Sequence, residues 1–298
     1  MKIIITGASG FVGQNLLKYL EEKECHIESL SLRKVWEIDK NADAVIHLAG
    51  KAHDTENTSA DDEYFRINTE LTKKLFDKFL DSNINDFIYF SSVKATADTV
   101  GGILDEEHIS DPKTPYGKSK LLAEQYLLSK GLPEGKRMII IRPCMIHGPG
   151  NKGNLNLLYK IVEKGIPWPL ASFENQRSFL SIDNLNFLIL QILKTKNIQS
   201  GIYNFADDDF ISTNQLIRII SNASGKTSRL WNVPAGLISF AAKVGDKIKI
   251  PLNSERLKKL TESYVVSNKK IKNALEITKL PVSAEEGLTR TIKSFQSK

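Results

Sequence analysis

The chain has 298 residues, of which 41 are Lys or Arg and 35 are Asp or Glu, and its net charge is +6. A content of 41% hydrophobic and 26% charged residues is typical of a folded globular protein and excludes intrinsic disorder. The longest apolar run, Leu185–Leu193, is about half as long as a membrane span requires, so we expect no transmembrane segment. Only two cysteines and no recognisable secretory signal lead us to expect a cytoplasmic protein.

The positive charge is concentrated near the C-terminus. Residues 251–298 hold eight Lys, two Arg and five Glu, which is a net charge of +5. A basic segment of this kind is compatible with a nucleic-acid surface, with a site for a phosphorylated small molecule, or with a solvated face. The composition alone leaves all three interpretations open.

The first two thirds of the chain alternate between apolar β-branched runs and amphipathic helical patterns. In chain order, we predict a strand at Lys2–Thr6, a helix after Gly13, strands at His26–Leu32 and Asp43–Ala49, a helix at Tyr64–Leu80, a strand at Asp86–Ser92, a helix at Tyr116–Leu128, a strand at Arg137–Arg142, helices at Asn154–Lys164 and Asn184–Leu193, and a strand at Ile202–Ala206. This alternation predicts an α/β fold with a parallel sheet, in which ligands bind beyond the carboxyl ends of the strands. Nothing from Gly236 onward has a pattern that would extend this sheet.

A glycine-rich turn follows the first predicted strand, in the sequence Thr6-Gly-Ala-Ser-Gly-Phe-Val-Gly13. Glycines allow a sharp turn and let backbone N–H groups at a helix N-terminus approach a pyrophosphate. Between a buried strand and an amphipathic helix, this pattern predicts a dinucleotide cofactor. We expect the cofactor to contact Gly7, Ser9, Gly10, Phe11, Val12 and Gly13.

Tyr116 and Lys120 are four residues apart in a predicted helix, so their side chains lie on one face. A tyrosine has a pKa of about 10, and an adjacent ammonium group favours the phenolate that acid–base chemistry near neutral pH requires. The same spacing also occurs in ordinary surface pairs. Here Ser91 and Ser92 end a preceding strand, and we expect Ser92 to hold the reacting hydroxyl or carbonyl group beside Tyr116.

Several motifs in the same chain order resemble the extended short-chain dehydrogenase/reductases, specifically the NAD-dependent epimerase/dehydratase family that acts on nucleotide sugars. The matching segments are Thr-Gly-Ala-Ser-Gly-Phe-Val-Gly (6–13), His-Leu-Ala-Gly (47–50), Asn68, Phe-Ser-Ser (90–92), Tyr-Gly-Lys-Ser-Lys (116–120), Ile-Arg-Pro (141–143), His-Gly-Pro (147–149), Arg-Ser-Phe-Leu-Ser-Ile-Asp-Asn (177–184) and Tyr-Asn-Phe-Ala (203–206). The resemblance implies a Rossmann-type doubly wound parallel sheet and a smaller C-terminal mixed α/β substrate domain. We place the first domain at residues 1–150 plus about 180–206, and the second at about 151–179 plus 207–298.

The resemblance also implies roles for individual residues, a catalytic set of Ser92, Tyr116 and Lys120, and a homodimer built through the helices near 62–80 and 115–130. The further cofactor contacts that it implies are Leu48, Ala49, Gly50, Asn68, Ser91, Tyr116, Lys120 and Pro143. The substrate contacts that we expect are Lys51, Ser92, Asn154, Arg177 and Arg256. Arg177 suits a diphosphate on physical grounds as well, because a planar guanidinium matches phosphate oxygens.

The region after the second strand departs from the NAD-binding pattern. That pattern places an acidic residue there to bond the adenosine ribose, but this chain has Arg33 and Lys34. Arg33 could contact a 2′-phosphate, which favours NADP slightly over NAD, although both side chains could simply be solvated. Only Val35–Ala42 separate this strand from the next, so a full βα unit does not fit there.

Val93-Lys94-Ala95 follow Ser92, where the dehydratases of the family carry an acidic pair, so we do not expect a dehydratase. Two reactions remain open: a UDP-hexose 4-epimerase, or an NADPH-dependent 4-ketoreductase of a UDP-4-keto-sugar. The Ser-Ser-Val-Lys element (91–94) and the segment 177–184 most resemble bacterial surface-polysaccharide enzymes of these two kinds. A non-catalytic NAD(P)-binding regulatory protein is a third hypothesis. We expect no metal, because no histidine has a ligand spacing, and no nucleic-acid partner; the basic tail then indicates an anionic small molecule.

Overall fold

A computed structural model describes residues 1–51, 61–151, 154–248 and 253–296. In chain order the strands are β1 (Lys2–Thr6), β2 (His26–Leu30), β3 (Ala44–His47), β4 (Asp86–Phe90), β5 (Ile103–Leu104), β6 (Arg137–Pro143), β7 (Met145–His147), β8 (Arg177–Ser181), β9 (Gly201–Phe205), β10 (Phe210–Ile211) and β11 (Val265–Val266). The helices are α1 (Phe11–Glu21), α2 (Asp61–Tyr64), α3 (Leu71–Leu80), α4 (Pro115–Ser129), α5 (Asn154–Glu163), α6 (Ile182–Lys194), α7 (Thr213–Ala223), α8 (Ala235–Ile248), α9 (Ser254–Thr261), α10 (Lys269–Ala274) and α11 (Ala284–Gln296). A π-helical segment, Phe65–Glu70, joins α2 to α3, and a 3₁₀ turn, Val93–Ala95, follows β4.

Six strands form the central sheet in the order β2-β1-β3-β4-β6-β9, and every pair of neighbours is parallel. The strand order reverses between β1 and β3, since β2 lies on one side of β1 and all later strands lie on the other. In open α/β sheets this reversal opens a crevice at the carboxyl ends of the two strands, where ligands bind. The predicted α/β fold with a Rossmann-type parallel sheet is confirmed.

Both faces of the sheet are buried, as the uninterrupted apolar strands require. Along β1, Ile3 and Ile5 belong to one hydrophobic cluster and Ile4 belongs to another. The first cluster includes Leu16 of α1 and residues of α6, whereas the second includes Leu75 of α3 and residues of α4. Helices on both faces give the doubly wound arrangement.

The connection from β2 to β3 is short, as the sequence predicted. Residues 31–43 contain neither a helix nor a strand. The connection is held by Leu32, Ile38 and Ala42, which are buried in the cluster beneath α3 and α4. The edge strand β2 therefore pairs with β1 alone.

A second group of elements packs around its own hydrophobic cluster. This cluster contains Leu158 of α5, Leu216 of α7, Ile238 of α8 and Leu288 of α11. A mixed three-stranded sheet in the order β10-β8-β7 adjoins it, and β11 pairs with β5 apart from the central sheet. Val266, Ile271 and Leu280, however, pack in a cluster of the central sheet, so the predicted domain boundaries remain a prediction. Across the described parts of the chain, no helix is both long and apolar enough to cross a membrane.

A buried ion pair joins the amino ends of β4 and β6 to α6. The Arg137 guanidinium donates to both carboxylate oxygens of Asp86, at 3.0 and 2.9 Å, and also to the carbonyls of Ile192 and Thr195. Lys196 lies 3.2 Å from the same carboxylate but is largely exposed. Arg137 therefore satisfies both the charge of Asp86 and the last carbonyls of the helix.

We predict that Arg137→Ala lowers the free energy of unfolding by about 3 kcal/mol, because Asp86 would keep a buried and poorly compensated charge. Arg290→Ala is the matched control, since the Arg290 side chain is half exposed and bonds Asp183 and Glu286 at the surface. That change should cost less than about 1 kcal/mol. Urea unfolding measures both, and equal losses would contradict a structural role for the buried pair.

Candidate active site

The glycine turn after β1 leaves no room for side chains at two positions. Gly7 has φ +72°, and a Cβ there would lie 2.6 Å from the amide nitrogen of Ala49. A Cβ on Gly13 would lie 2.3 Å from the carbonyl oxygen of Gly7. Gly10 is the N-cap of α1 and is exposed, and its added Cβ would come no closer than 3.3 Å. The turn is thus packed against α1 and β3 while its outer surface stays open.

The segment after β3 lies against this turn. The amide of Leu48 donates to the Thr6 carbonyl at 3.2 Å, and the amide of Ala49 donates to the Thr6 hydroxyl at 3.1 Å. Leu48, Ala49 and Gly50 are therefore brought beside the glycine turn at the point where the strand order reverses. Among the other predicted cofactor contacts, the exposed Ser9 and the partly buried Phe11 and Val12 begin or precede α1.

A chain of buried polar groups runs from the turn to the π-helical segment. Thr72 donates its hydroxyl proton to the Asn68 carbonyl at 2.8 Å, so it accepts from Nε2 of His47 at 2.9 Å. A neutral His47 then accepts at Nδ1 from the Thr6 hydroxyl at 2.7 Å, and Thr6 accepts from the Ala49 amide. Each of these four hydrogen bonds therefore has one donor and one acceptor.

His47 is held in its neutral form. Burial lowers the pKa of His47 to about 3, and the positive charge of Lys120 acts in the same direction. From the sequence, His47 was noted only as part of the His-Leu-Ala-Gly motif, without a role of its own. The sequence did offer a sign of its structural role: His47 is a polar residue at the end of a buried strand, two residues before Ala49, and a buried polar side chain needs hydrogen-bond partners.

Asn68 fastens the π-helical segment to its neighbours. Its Oδ1 accepts from the Lys51 amide at 2.7 Å, and its Nδ2 donates to the Lys51 carbonyl at 3.1 Å and to the Ser119 hydroxyl at 3.0 Å. Thr69 bonds the Ser119 carbonyl at 2.8 Å. Asn68 therefore links the segment after β3 to helix α4, while Lys51 itself pairs with Glu63 at 2.7 Å.

Helix α4 begins where its first turn can approach the end of β4. Thr114 caps it by accepting from the Gly117 amide at 3.2 Å, and Pro115 occupies the first helical position. A Cβ on Gly117 would lie 2.4 Å from the Lys94 carbonyl, so only glycine permits this approach. The result brings Tyr116 against Ser92.

The Ser92 hydroxyl accepts from the Lys94 amide at 3.2 Å and lies beside the buried Tyr116 side chain. Burial raises the pKa of Tyr116, and the neighbouring Ser92 side chain partly opposes this rise. One turn further along α4, the buried Lys120 donates to the Phe90 carbonyl at 2.7 Å, and burial lowers the pKa of Lys120 to about 8. The Lys120 ammonium lies beneath Gly50, because a Cβ on that glycine would come within 3.2 Å of it.

Ser91 faces away from this group. Its hydroxyl donates to the Glu124 carboxylate, which also accepts from the Arg142 guanidinium at 3.0 and 2.5 Å. Glu124 and Arg142 are both fully buried. The geometry thus favours Ser92 over Ser91 as the hydroxyl beside Tyr116. Pro143, the next residue after Arg142, ends β6 and is buried.

The predicted substrate contacts are more dispersed. Arg177 starts β8 and donates to the carbonyls of Lys259 and Glu262 at the end of α9, the latter at 3.1 Å. Burial lowers the pKa of Arg177. Arg256 is exposed in the first turn of α9. Asn154 is the first residue of α5, and its side chain lies outside the described part of the structure.

Lys94 is a further cation that the sequence analysis did not count as a site residue. Its ammonium donates to the Asp98 carbonyl at 2.7 Å and lies 4.1 Å from the centre of the Tyr264 ring. Burial lowers the pKa of Lys94, and the charges of Arg177 and Lys259 lower it further. In the sequence, its position two residues after Ser92 could have marked Lys94 as a residue near the site. Lys94 and Arg177 therefore lie close enough for their charges to interact.

Arg33 is exposed at the turn after β2, and no acidic residue stands at that strand end. Among the described residues, no group of three or more His, Cys, Asp or Glu is placed to hold a metal ion. A glycine turn at the reversal point of a parallel sheet, with serine, tyrosine and lysine at the next strand end, defines a Rossmann-type NAD(P)-binding enzyme.

Comparison with known proteins identifies the family. A sequence model of the NAD-dependent epimerase/dehydratase family matches residues 26–206. A UDP-glucose 4-epimerase from Vibrio cholerae is 30% identical over 98% of this chain and 95% of its own length. The chain belongs to the NAD-dependent epimerase/dehydratase family, and it is an enzyme of the extended short-chain dehydrogenase/reductase type.

Two other similarities extend over the full chain. An N-acetyl-α-D-glucosaminyl-diphospho-ditrans,octacis-undecaprenol 4-epimerase from Escherichia coli O157:H7 is 26% identical over 98% of this chain and 94% of its own length. The solved structure of a UDP-glucuronic acid 4-epimerase from Bacillus cereus in complex with NAD superposes with a TM-score of 0.74, at 19% identity, over 100% of this chain and 99% of that one. The structural likeness supports the fold.

The glycine contacts generate a prediction for the protein without cofactor. Gly13→Ala would force its Cβ against the Gly7 carbonyl, and overpacking of this kind costs about 1–3 kcal/mol. Gly10→Ala is the control, because its Cβ meets the same oxygen only at 3.3 Å. We expect urea unfolding to show the loss for Gly13→Ala and a change below about 0.5 kcal/mol for Gly10→Ala. Equal changes in the free energy of unfolding for the two variants would show that the turn rearranges to accept a Cβ at position 13, and would contradict the prediction.

The neutral His47 predicts a pH dependence of stability. Between about pH 6.5 and pH 3 the unfolded chain binds a proton at this histidine and the folded chain does not, so stability falls as the pH falls. From pH 7 to pH 5 the contribution lost is about 2 kcal/mol. His47→Gln should lack this part of the slope, whereas the exposed His108→Gln should keep it. Urea titrations at several pH values test this, and identical slopes for all three proteins would refute it.

Proposed function

We propose that the protein is a 4-epimerase of a diphosphate-linked hexose, with a UDP-hexose as its substrate. The observation that carries the proposal is that Ser92, at the carboxyl end of β4, lies beside the buried Tyr116, with Lys120 one turn further along α4. The glycine turn follows β1 at the carboxyl edge of the same parallel sheet, and its tightly packed Gly7 and Gly13 fit a dinucleotide. When bound, the nicotinamide supplies reversible hydride transfer at the sugar C4.

The side chains supply positioning and proton transfer. Ser92 holds the C4 oxygen beside Tyr116, whose phenol moves a proton to and from that oxygen. Tyr116 is protonated at neutral pH in the protein alone because burial raises its pKa. A base there requires nearby positive charge, and Lys120, whose pKa is about 8, is mostly charged at pH 7.

The relatives favour an epimerase and a diphosphate-linked sugar. Two of them, from Vibrio cholerae and Escherichia coli, are 4-epimerases that align over nearly the whole chain. One acts on a nucleotide sugar and the other on a polyprenyl-linked sugar, so a sugar diphosphate is what their substrates share. We assign the diphosphate to Arg177, with Asn154, Arg256 and Lys51 as further contacts.

The second candidate is an NADPH-dependent 4-ketoreductase. Arg33 is exposed where a 2′-phosphate would lie, and the ribose-binding acid is missing from that strand end. We hold NADP as slightly favoured over NAD for the same reason. The ketoreductase would use Ser92, Tyr116 and Lys120 in the same roles but would deliver hydride once.

We also propose a homodimer through the predicted helices, which correspond to α2–α3 and α4. Leu122 and Leu128 on α4 are 44% and 49% exposed, six residues apart. Exposed leucines on a helix are suited to pack against the same helix of a second copy. The proposed domain division remains residues 1–150 plus about 180–206 against the rest.

We predict that Tyr116→Phe lowers turnover by about 10²–10⁴-fold, because the phenol that transfers the proton is lost. Tyr126→Phe is the matched control on the same helix, since the Tyr126 hydroxyl bonds Asp77 at an exposed position. The assay follows interconversion of UDP-glucose with UDP-galactose, and of their N-acetylated forms, without added reductant. Binding of NADH and NADPH by fluorescence should be the same in the variant as in the wild type.

Three results would contradict the assignment. Retained turnover in Tyr116→Phe would exclude this tyrosine as the acid–base group. Consumption of NADPH with a UDP-4-keto-sugar, without interconversion of the UDP-hexoses, would identify the ketoreductase. Binding of cofactor with no turnover of any sugar would support a regulatory protein.

A further inference from the structure

Helix α8 presents an apolar face that no described element covers. Leu237, Phe240 and Val244 are 62%, 67% and 38% exposed, and their spacing of three and four places them in one row along the helix. We call these three residues the α8 stripe. The opposite side of α8 is buried through Ile238 and Ala242 in the hydrophobic cluster of the second group of elements.

An exposed tryptophan precedes this helix in the chain. Trp231, four residues before α8, is 58% exposed, and its amide donates to the Trp168 carbonyl at 2.9 Å. Soluble proteins rarely expose several large apolar residues in one row, and such patches mark interaction sites. Val35 and Ile109 are more exposed still, but each lies singly in a connection between elements.

The chain segment that contains the stripe is strongly basic. Residues 226–259 contain eight Lys or Arg and two acidic residues, a net charge of +6 that equals the charge of the whole chain. Lys243 is exposed beside the stripe, between Phe240 and Val244. Both acids are engaged within the protein: Asp246 accepts from the amide and hydroxyl of Ser254, and Glu255 pairs with a lysine one turn later.

The charge argues against a second copy as the occupant. A twofold interface places the same surface of each copy face to face. Packing of stripe against stripe would therefore bring Lys243 and its basic surroundings against their own copies, and opposed like charges weaken an interface. An apolar row flanked by cations is complementary instead to a surface that is both apolar and anionic.

We propose that the α8 stripe docks on an anionic lipid bilayer as a peripheral contact. The helix lies parallel to the bilayer with Leu237, Phe240 and Val244 at the boundary between headgroups and acyl chains. Lys243 reaches the lipid phosphates, and Trp231 lies at the headgroup level, where its ring is both apolar and polar. This attachment is reversible and needs no membrane-spanning segment.

The docking surface belongs to the same part of the fold as the proposed diphosphate contact. Helix α8 packs against α9, and Asp246 ties the two through Ser254. The other end of α9 supplies the carbonyls of Lys259 and Glu262 that bind Arg177. A protein docked through α8 would therefore hold its substrate-binding elements near the bilayer surface.

The test is co-sedimentation of the full chain with vesicles. Wild type should bind vesicles of phosphatidylethanolamine and phosphatidylglycerol (3:1) and should bind phosphatidylcholine vesicles at least tenfold more weakly. The double variant Leu237→Ser with Phe240→Ser should bind the anionic vesicles at least about tenfold more weakly. Lys243→Ala should weaken binding about fivefold, and 0.5 M salt should reduce wild-type binding.

The matched control is Val35→Ser with Ile109→Ser, which removes two apolar side chains that are at least as exposed. It should bind vesicles like wild type. Trp231 fluorescence offers a second measurement, because a blue shift on adding anionic vesicles should disappear in Trp231→Phe. Turnover of soluble UDP-sugars should be unchanged in all these variants, so the vesicle result does not depend on whether the proposed activity is correct.

Three outcomes would overturn the docking. Wild type could fail to bind anionic vesicles. The double variant could bind them as well as wild type does. Alternatively, light scattering could show that wild type is a dimer and the double variant a monomer, while wild type does not bind vesicles. This result would show that a second copy covers the stripe.

Discussion

The packing of the glycine turn against the end of β3 is the constraint on which the site depends. A Cβ on Gly7 would clash with the amide nitrogen of Ala49, and a Cβ on Gly13 would clash with the carbonyl oxygen of Gly7. Strand, turn, helix and the next strand end are therefore held in backbone contact. In open α/β sheets ligands bind at such a reversal of strand order, and the backbone N–H groups at the start of the following helix suit a pyrophosphate.

Buried hydrogen bonds connect the glycine turn to helix α4. Thr6, His47 and Thr72 connect the turn to Asn68, and Asn68 connects to Ser119 on α4. A polar chain of this kind is stabilising only when every member is satisfied, because an unpaired buried donor or acceptor costs about 1–3 kcal/mol. The chain of hydrogen bonds therefore couples the position of α4 to that of the glycine turn.

The sequence was sufficient for the central sheet, and it also predicted the group of Ser92, Tyr116 and Lys120, whose roles stay a prediction. Buried parallel strands such as β1 are uninterrupted apolar runs, and the helix that carries Tyr116 and Lys120 has both a cap and a first-turn proline. Local patterns of this type are visible in one chain. The different directions of Ser91 and Ser92 were not visible, because they depend on Glu124 and Arg142, which lie 33 and 51 residues from Ser91 in the chain.

The cations of the chain show the same limit of local patterns, because the fold places them in different settings. Arg177 and Lys94 are partly buried, and the carbonyls of Lys259 and Glu262 engage two of the five N–H donors of Arg177. Donors therefore remain for phosphate oxygens without release of α9. Lys243, in contrast, is exposed on helix α8. A net charge counted along the sequence adds such cations together, whereas the proposed diphosphate contact and the proposed lipid contact draw on different ones.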